Sequence, residues 1–482
     1  MRLNDSTLLR QHAFIAGEWW DADSGATLQV LDPATGTLVG SVPDMGAGET
    51  QRAIEAAVRA QRKWARVTAA ERAGVLTRIA ALLREHREDL AVIMTAEQGK
   101  PLAEARGEVE YAASYFTWFA EEARRIDGDI IPSPWPGKQL LVLKEPVGVC
   151  AAITPWNFPL AMLARKAAPA LAAGCAMVVK PSEFTPFSAL ALCDIAARAG
   201  LAPGLLSCVT GNAVEIGNAL TRSHDVRKIT FTGSTRVGKI LMRESADTVK
   251  RLSLELGGNA PFIVFDDADI DEAVAGLLAS KFRNAGQTCV SPNRILVHAA
   301  VERAFVEKLV RLMPTLKVAR GTEQGAVVGP LINSQAIAKV ERLLQDATAK
   351  GAAVELGGSA HSLGGNFFQP TVVSNVTDAM EIAHEEIFGP VLAVRTFTSD
   401  EEALALANGT QSGLAAYFYS ANLKRVFDIA FQLEFGMVGV NEAVFSSEVA
   451  PFGGRKESGF GREGSRYGLN DYLDVKFVCM KT

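Results

Sequence analysis

From Val147 onward, short apolar runs alternate with helical patterns, and few folds accept that rhythm. Val147–Ile153 reads as a strand, Pro159–Ala173 as a helix, Ala176–Lys180 as a strand and Ser188–Ala199 as a helix. Strand readings continue at Leu206–Thr210 and Lys228–Thr232, with helices between and after them. Such alternation predicts an α/β fold built on a doubly wound parallel sheet. A second alternating block runs from Pro261 to about Val440. Its predicted strands are Pro261–Phe265, Arg294–Val297, Val391–Thr396 and Ala416–Tyr419, and its helices Asp269–Asn284 and Val301–Leu312. A chain of 482 residues is too long for one core. Two such blocks in tandem predict a cleft between domains, a usual place for an active site.

The flanks read differently. From Gly48 to Arg125 the pattern is mostly helical, with Ala-rich apolar positions three and four apart. The proline-rich run Pro132–Gly137 interrupts it before a short strand at Gln139–Lys144. The tail from Gly459 to Val478 is glycine-rich and then strand-like at Leu473–Cys479. With residues 127–144 it is expected to form a small sheet outside both blocks. An exposed strand pair seeks a partner edge, which predicts a homo-oligomer, dimer or tetramer.

Composition excludes other classes. Net charge is -5 with a pI near 5.8, so no basic face for nucleic acid is expected. The start lacks a basic segment followed by an apolar one, so no secretory signal is read. No apolar run approaches a membrane span; the richest stretch, Ala161–Lys180, carries Arg165 and Lys166. The six cysteines show no C-x-x-C spacing, so neither a zinc site nor a disulfide framework is expected. Cys150, Cys175, Cys193 and Cys208 sit among apolar residues and read as core. A reduced, cytoplasmic protein without a bound metal is the expectation.

Cys289 is different, because it follows the small, turn-forming run Asn284-Ala285-Gly286-Gln287-Thr288. A presented sulfur can act as a nucleophile if something nearby holds it as thiolate, although free cysteines are commonly buried hydrophobes. Gly233-Ser234-Thr235-Arg236-Val237-Gly238 follows a strand and opens a helix, an arrangement that suits a pyrophosphate and also occurs as an ordinary turn. Lys180 and Glu183 end an earlier strand, where the acid suits a ribose hydroxyl; a solvated charge pair is the alternative. Together the two motifs favour a nicotinamide dinucleotide.

Asn157 lies in a loop stiffened by Pro155, Trp156 and Pro159, where a fixed amide suits a developing oxyanion or caps the following helix. Glu255 stands between leucines ahead of Gly257-Gly258; desolvated there it would have a base-like raised pKa, or else it faces water. Glu385-Glu386-Ile387-Phe388 precedes Gly389-Pro390 and reads as a ribose and ring contact or as a solvated acid pair.

These motifs, in this order and over nearly the whole chain, resemble the aldehyde dehydrogenase superfamily. Within it the chain is most similar to the succinate-semialdehyde dehydrogenases, through segments such as Ala279–Val290, Gly365–Pro370, Glu448–Gly454 and Gly461–Gly468. The resemblance implies Cys289 as nucleophile, Glu255 as general base and Asn157 as oxyanion donor. It implies cofactor contacts at Ile153, Thr154, Pro155, Trp156, Lys180, Glu183, Gly233, Ser234, Val237, Leu256, Glu386 and Phe388. It implies that Arg165, Arg283 and Ser446, with Ser447 adjacent, hold a substrate's distal carboxylate. The implied substrate is succinate semialdehyde, with glutarate and 2-oxoglutarate semialdehyde as alternatives.

The implied architecture has a Rossmann-type cofactor domain at 1–126 and 145–255, a catalytic domain at 256–445, and an oligomerisation arm at 127–144 and 459–482. Two departures stand out. Ser291 replaces a second cysteine common in the family two residues after the nucleophile, so no local disulfide forms there. Glu183 stands where relatives using the phosphorylated cofactor tend to have a small residue, so NAD is the expected cofactor, with NADP possible.

Overall fold

The computed structural model describes residues 1–481. Four helices lead the chain after an N-terminal strand region: α1 (Ala47–Trp64), α2 (Ala69–Glu85), α3 (Arg87–Gln98) and α4 (Leu102–Glu122). Thr68 begins α2 with a reciprocal cap, its side chain accepting from Glu71 while the Glu71 carboxylate accepts from the Thr68 backbone. The long helix α4 packs across α2 and the later α5 (Ala161–Ala173).

Five parallel strands form the centre of the first sheet. Their spatial order is Leu206–Cys208, Ala176–Lys180, Val149–Ile153, Val226–Thr232 and Arg251–Glu255. The chain starts in the middle, winds outward to one side and then to the other, so the order reverses beside Val149–Ile153. That is the doubly wound arrangement expected, with helices α5, α6 (Phe187–Arg198), α7 (Ala213–Arg222) and α8 (Thr235–Ser245) between strands. Val149–Ile153 and Ala176–Lys180 are continuous apolar runs because both faces are covered. Register pairs Ile153 with Lys180 and with Phe231, and Thr232 with Glu255. The carboxyl ends of neighbouring strands therefore line up along one edge, and the motif residues lie there.

The second sheet runs Ala353–Leu356, Thr371–Ser374, Val391–Phe397, Pro292–His298, Ala260–Val264, Ala415–Tyr419 and Met437–Val440, parallel except for its first strand. Three of these strands, at Ala353, Thr371 and Met437, had no reading in the sequence. The expected helix Asp269–Asn284 is shorter. Helix α9 (Ile270–Lys281) stops because Asn284 and Ala285 take φ of +52° and +55°, a left-handed pair that no helix continues through.

Leu473–Lys481, Lys138–Pro146 and Asp129–Ile131 form a separate antiparallel sheet. The expected arm segment 459–482 is narrower than the sequence suggested. Gly459–Phe460 instead pairs antiparallel with Arg251–Glu255 at the edge of the first sheet. The short sheet exposes Ile130 (81%), Val475 (72%) and Phe477 (59%). Among the described residues no helix is long and apolar enough to cross a membrane.

Candidate active site

The strand ends of the first sheet and the loops around Cys289 and Glu386 enclose a cavity of about 290 Å3. Its wall includes Asn157, Arg165, Glu255, Arg283, Cys289, Glu386, Phe388 and Ser446, contributed by segments hundreds of residues apart.

Asn157 does not cap α5. The backbone N–H groups of Leu160 and Ala161 donate to Glu108 Oε1 at 3.0 and 3.1 Å, so a carboxylate from α4 takes that role. The Asn157 amide nitrogen donates to the Gln287 carbonyl at 3.0 Å, two residues before Cys289. Its own carbonyl accepts from Lys100 Nζ (2.7 Å) and Asn284 Nδ2 (3.0 Å), while Lys100 pairs with Glu108 at 2.5 Å. Gln98 donates to Asn284 Oδ1 (2.9 Å) and Glu104 accepts from the Asn284 backbone N–H (2.8 Å). This buried network holds the strained Asn284-Ala285 turn and thereby aims both Asn157 and Cys289. None of Gln98, Lys100, Glu104 and Glu108 was read as functional in the sequence. The only signal was polar residues at core positions of helical pattern.

Two glycines permit the close approach. A Cβ on Gly258 would stand 2.1 Å from the Cys289 carbonyl oxygen, and one on Gly286, whose φ is +78°, would stand 2.3 Å from the Gly389 carbonyl oxygen.

Cys289 keeps some exposure to the cavity while protein surrounds it on every side. Burial pushes its thiol up to about 12; Arg165 opposes this, and Glu386 and Glu255 add to it. Burial therefore outweighs the pull of Arg165 towards the thiolate. Glu255 does not face water. It is buried, neither carboxylate oxygen has a hydrogen-bond partner among the described residues, and burial followed by repulsion from Glu463 drives its pKa well up.

Arg165 is 1% exposed, stacks 4.3 Å from the Phe452 ring and contacts Glu463 through Nε. Its Nη2 is buried without a hydrogen-bond partner among the described residues. Lys166 also pairs with Glu463 and donates to Thr232 Oγ1 at 2.7 Å. Arg165 thus carries a structural carboxylate, whereas Arg283 makes no salt bridge among the described residues and lies 4.8 Å over Phe158. Ser446 lines the cavity; Ser447 does not, because its hydroxyl is turned to Glu448 at 3.2 Å. Glu463 and Lys166 were missed as a pair because they lie 297 residues apart.

The expected cofactor residues divide in two. Pro155, Trp156, Gly233, Ser234, Leu256, Glu386 and Phe388 line the cavity; Ile153, Thr154, Lys180, Glu183 and Val237 lie outside it, along the strand ends and the first turn of α8. Ser234 caps α8 by accepting from the Val237 N–H at 3.4 Å. Gly233 leaves room for the Phe231 ring, 2.4 Å from where a Cβ would be. Leu256, Val237 and Ile153 pack in one small apolar cluster beneath this edge. Lys180 and Glu183 pair at 3.2 Å. Glu385 is held outside by Arg342 at 2.6 Å, while Glu386 turns inward and accepts from the Gly258 N–H at 3.0 Å, its pKa raised by burial to about 7. Trp156 and Phe388 meet edge to face at 5.6 Å. A helix N-terminus, a ribose-sized acid and an aromatic wall along one crevice suit a dinucleotide.

The aldehyde dehydrogenase family profile matches residues 19–478. The NADP(+) succinate-semialdehyde dehydrogenase GabD of Escherichia coli is 55% identical over 480 residues, covering all of both chains. A glutarate-semialdehyde dehydrogenase of Pseudomonas aeruginosa is also 55% identical, covering 100% of this chain and 99% of its own. The crystal structure of succinate-semialdehyde dehydrogenase from Burkholderia pseudomallei superposes with a TM-score of 0.99 at 57% identity over the whole of both chains.

Proposed function

The chain belongs to the aldehyde dehydrogenase family, and from that premise we propose that it oxidises a semialdehyde bearing a distal carboxylate, succinate semialdehyde first, to the dicarboxylate. The observation that carries this reading is Arg165 Nη2, a guanidinium nitrogen buried in the same cavity wall as Cys289 with no partner of its own. A buried donor left unpaired is costly unless a ligand completes it, and a carboxylate matches a guanidinium best. Arg283 supplies a second cation in the same wall.

The chemistry follows from the residues. Cys289 gives up its proton to solvent through the open cavity, and its sulfur attacks the aldehyde carbon. Asn157 has one amide N–H on the Gln287 carbonyl, which leaves its second for the oxyanion beside the Cys289 backbone N–H. A nicotinamide dinucleotide supplies the hydride acceptor when bound, held by Gly233, Ser234, Glu386 and Phe388. Glu255 then takes a proton from the water that cleaves the thioester on Cys289.

NAD is the proposed preferred cofactor. Lys180 and burial-opposing hydrogen bonds keep Glu183 ionised, and a carboxylate accepts from a ribose 2′-hydroxyl but repels a 2′-phosphate. We assign dinucleotide binding to the unit built on the first sheet and the nucleophile Cys289 to the unit built on the second, with Glu255 and Asn157 entering the shared cavity from the first. The exposed apolar sheet of Leu473–Lys481 and Lys138–Pro146 fits association into a dimer or tetramer. Six free cysteines fit a reducing compartment, the cytoplasm.

The test is a steady-state panel of four-carbon, five-carbon and oxo-five-carbon semialdehydes against butanal, each with NAD and NADP. Arg165→Leu and Arg283→Leu are expected to raise KM for succinate semialdehyde by roughly a hundredfold, with a much smaller change for butanal. Unchanged KM in both variants sinks the reading. A higher kcat/KM with NADP than with NAD sinks the cofactor assignment.

A further inference from the structure

One hydroxyl in the cavity wall is not used by the chemistry above. Tyr111, on α4, lines the cavity that holds Cys289. It also lines an adjoining cavity of about 520 Å3, and Phe158, Arg283 and Ser446 share both walls. Any substrate chain passing from the outer space to Cys289 crosses this four-residue neck.

The Tyr111 hydroxyl lies 2.7 Å from that of Tyr115, one helical turn further along α4. Tyr115 is wholly buried, and Tyr111 is the one hydrogen-bond partner of its hydroxyl among the described residues. A buried hydroxyl that keeps its proton unpaired is disfavoured, so Tyr115 donates and Tyr111 accepts. The proton of Tyr111 is then left over. Burial, and to a smaller extent Glu463, raise the Tyr111 pKa, while Arg165 and Arg283 pull it down, so both guanidinium charges reach this hydroxyl.

We propose that Tyr111 is a third arm of the carboxylate clamp, donating its phenolic proton to the distal carboxylate of the semialdehyde between Arg165 and Arg283. Tyr115 is the positioning residue behind it, fixing which way that proton points. The inference rests on the semialdehyde reading and adds to it a specificity-determining residue that touches substrate. A phenylalanine would wall the neck equally well; the hydroxyl is what an anion needs.

The experiment compares wild type, Tyr111→Phe and Tyr115→Phe with succinate semialdehyde and with butanal, the same chain length without the carboxylate. Tyr111→Phe is expected to raise KM for succinate semialdehyde about tenfold, with kcat within about twofold and butanal kcat/KM unchanged. Tyr115→Phe, which does not alter the cavity surface, is expected to move the same KM in the same direction by about threefold, and keeps the inference testable should Tyr111→Phe fold poorly. Unchanged KM for succinate semialdehyde in the variants, or equal losses on both aldehydes, overturns the role of Tyr111 and leaves the semialdehyde reading standing. A wild-type enzyme that does not prefer succinate semialdehyde to butanal overturns both.

Discussion

Two buried charge clusters flank the cavity, and they are finished to different degrees. On the α4 side, Lys100 donates to Glu108 and to the Asn157 carbonyl, Glu108 accepts from Leu160 and Ala161, and Glu104 accepts from Asn284. Every side chain in that set has its partners. On the α5 side, Arg165, Glu255 and Glu463 are equally buried, yet Arg165 Nη2 and both oxygens of Glu255 have none among the described residues. Burying polar groups without partners costs stability, so the completed cluster is built to position and the incomplete one to react. Asn157 joins them, since its backbone belongs to the first and its side chain faces the second.

The largest effect that tests this contrast is on rate. Glu255→Gln is expected to lower kcat roughly a thousandfold while a first-turnover burst of reduced nicotinamide persists, because thioester hydrolysis alone loses its base. Its melting temperature should not fall, since the carboxylate had no partner to lose. A variant that unfolds more easily would erase the distinction between the clusters. Glu108→Gln is the mirror experiment. It leaves Lys100 buried and half-paired and is expected to cost about 3–5 kcal/mol in denaturant unfolding, with turnover falling only as Asn157 shifts. A stable, slow Glu108→Gln would place that carboxylate in the chemistry instead.

The smallest effects are in pH dependence. Burial raises Glu255, so kcat should climb with pH along a limb displaced above the ordinary carboxylate value of 4.5, and Glu255→Gln should flatten that limb. In the completed cluster, burial raises Glu104 to about 7. A carboxyl whose folded pKa is raised contributes stability that is full below the unfolded value and is lost as pH rises through the folded one. Melting temperature should therefore decline by a few degrees between pH 4.5 and about 7, less so in Glu104→Gln. One acid titrates in the rate and the other in the stability.

Much of the fold was legible because parallel strands covered on both faces are short apolar runs bounded by helical pattern. Ala176–Lys180 was read to the residue, and Lys228–Thr232 lies within Val226–Thr232. Three strands of the second sheet escaped because Ala353–Leu356, Thr371–Ser374 and Met437–Val440 are only four residues each. The stop of α9 before Asn284 escaped for another reason. The left-handed pair is imposed by Gln98 and Glu104 from two distant helices, and no local propensity encodes it. Tyr111 was likewise hidden inside an ordinary helical pattern.

The sequence by itself determined which residues we assign the chemistry to. Cys289, Glu255, Asn157 and the turn at Gly233 sit at strand ends and tight turns, where a local motif dictates what is presented. Tertiary structure alone decided their states and partners. Burial pushes the Cys289 thiol up to about 12, Glu463 occupies one side of Arg165, and Ser446 rather than Ser447 faces the cavity. The reason is that ionisation and hydrogen bonding depend on burial and on charges from every direction, whereas a strand-end motif depends only on its neighbours along the chain.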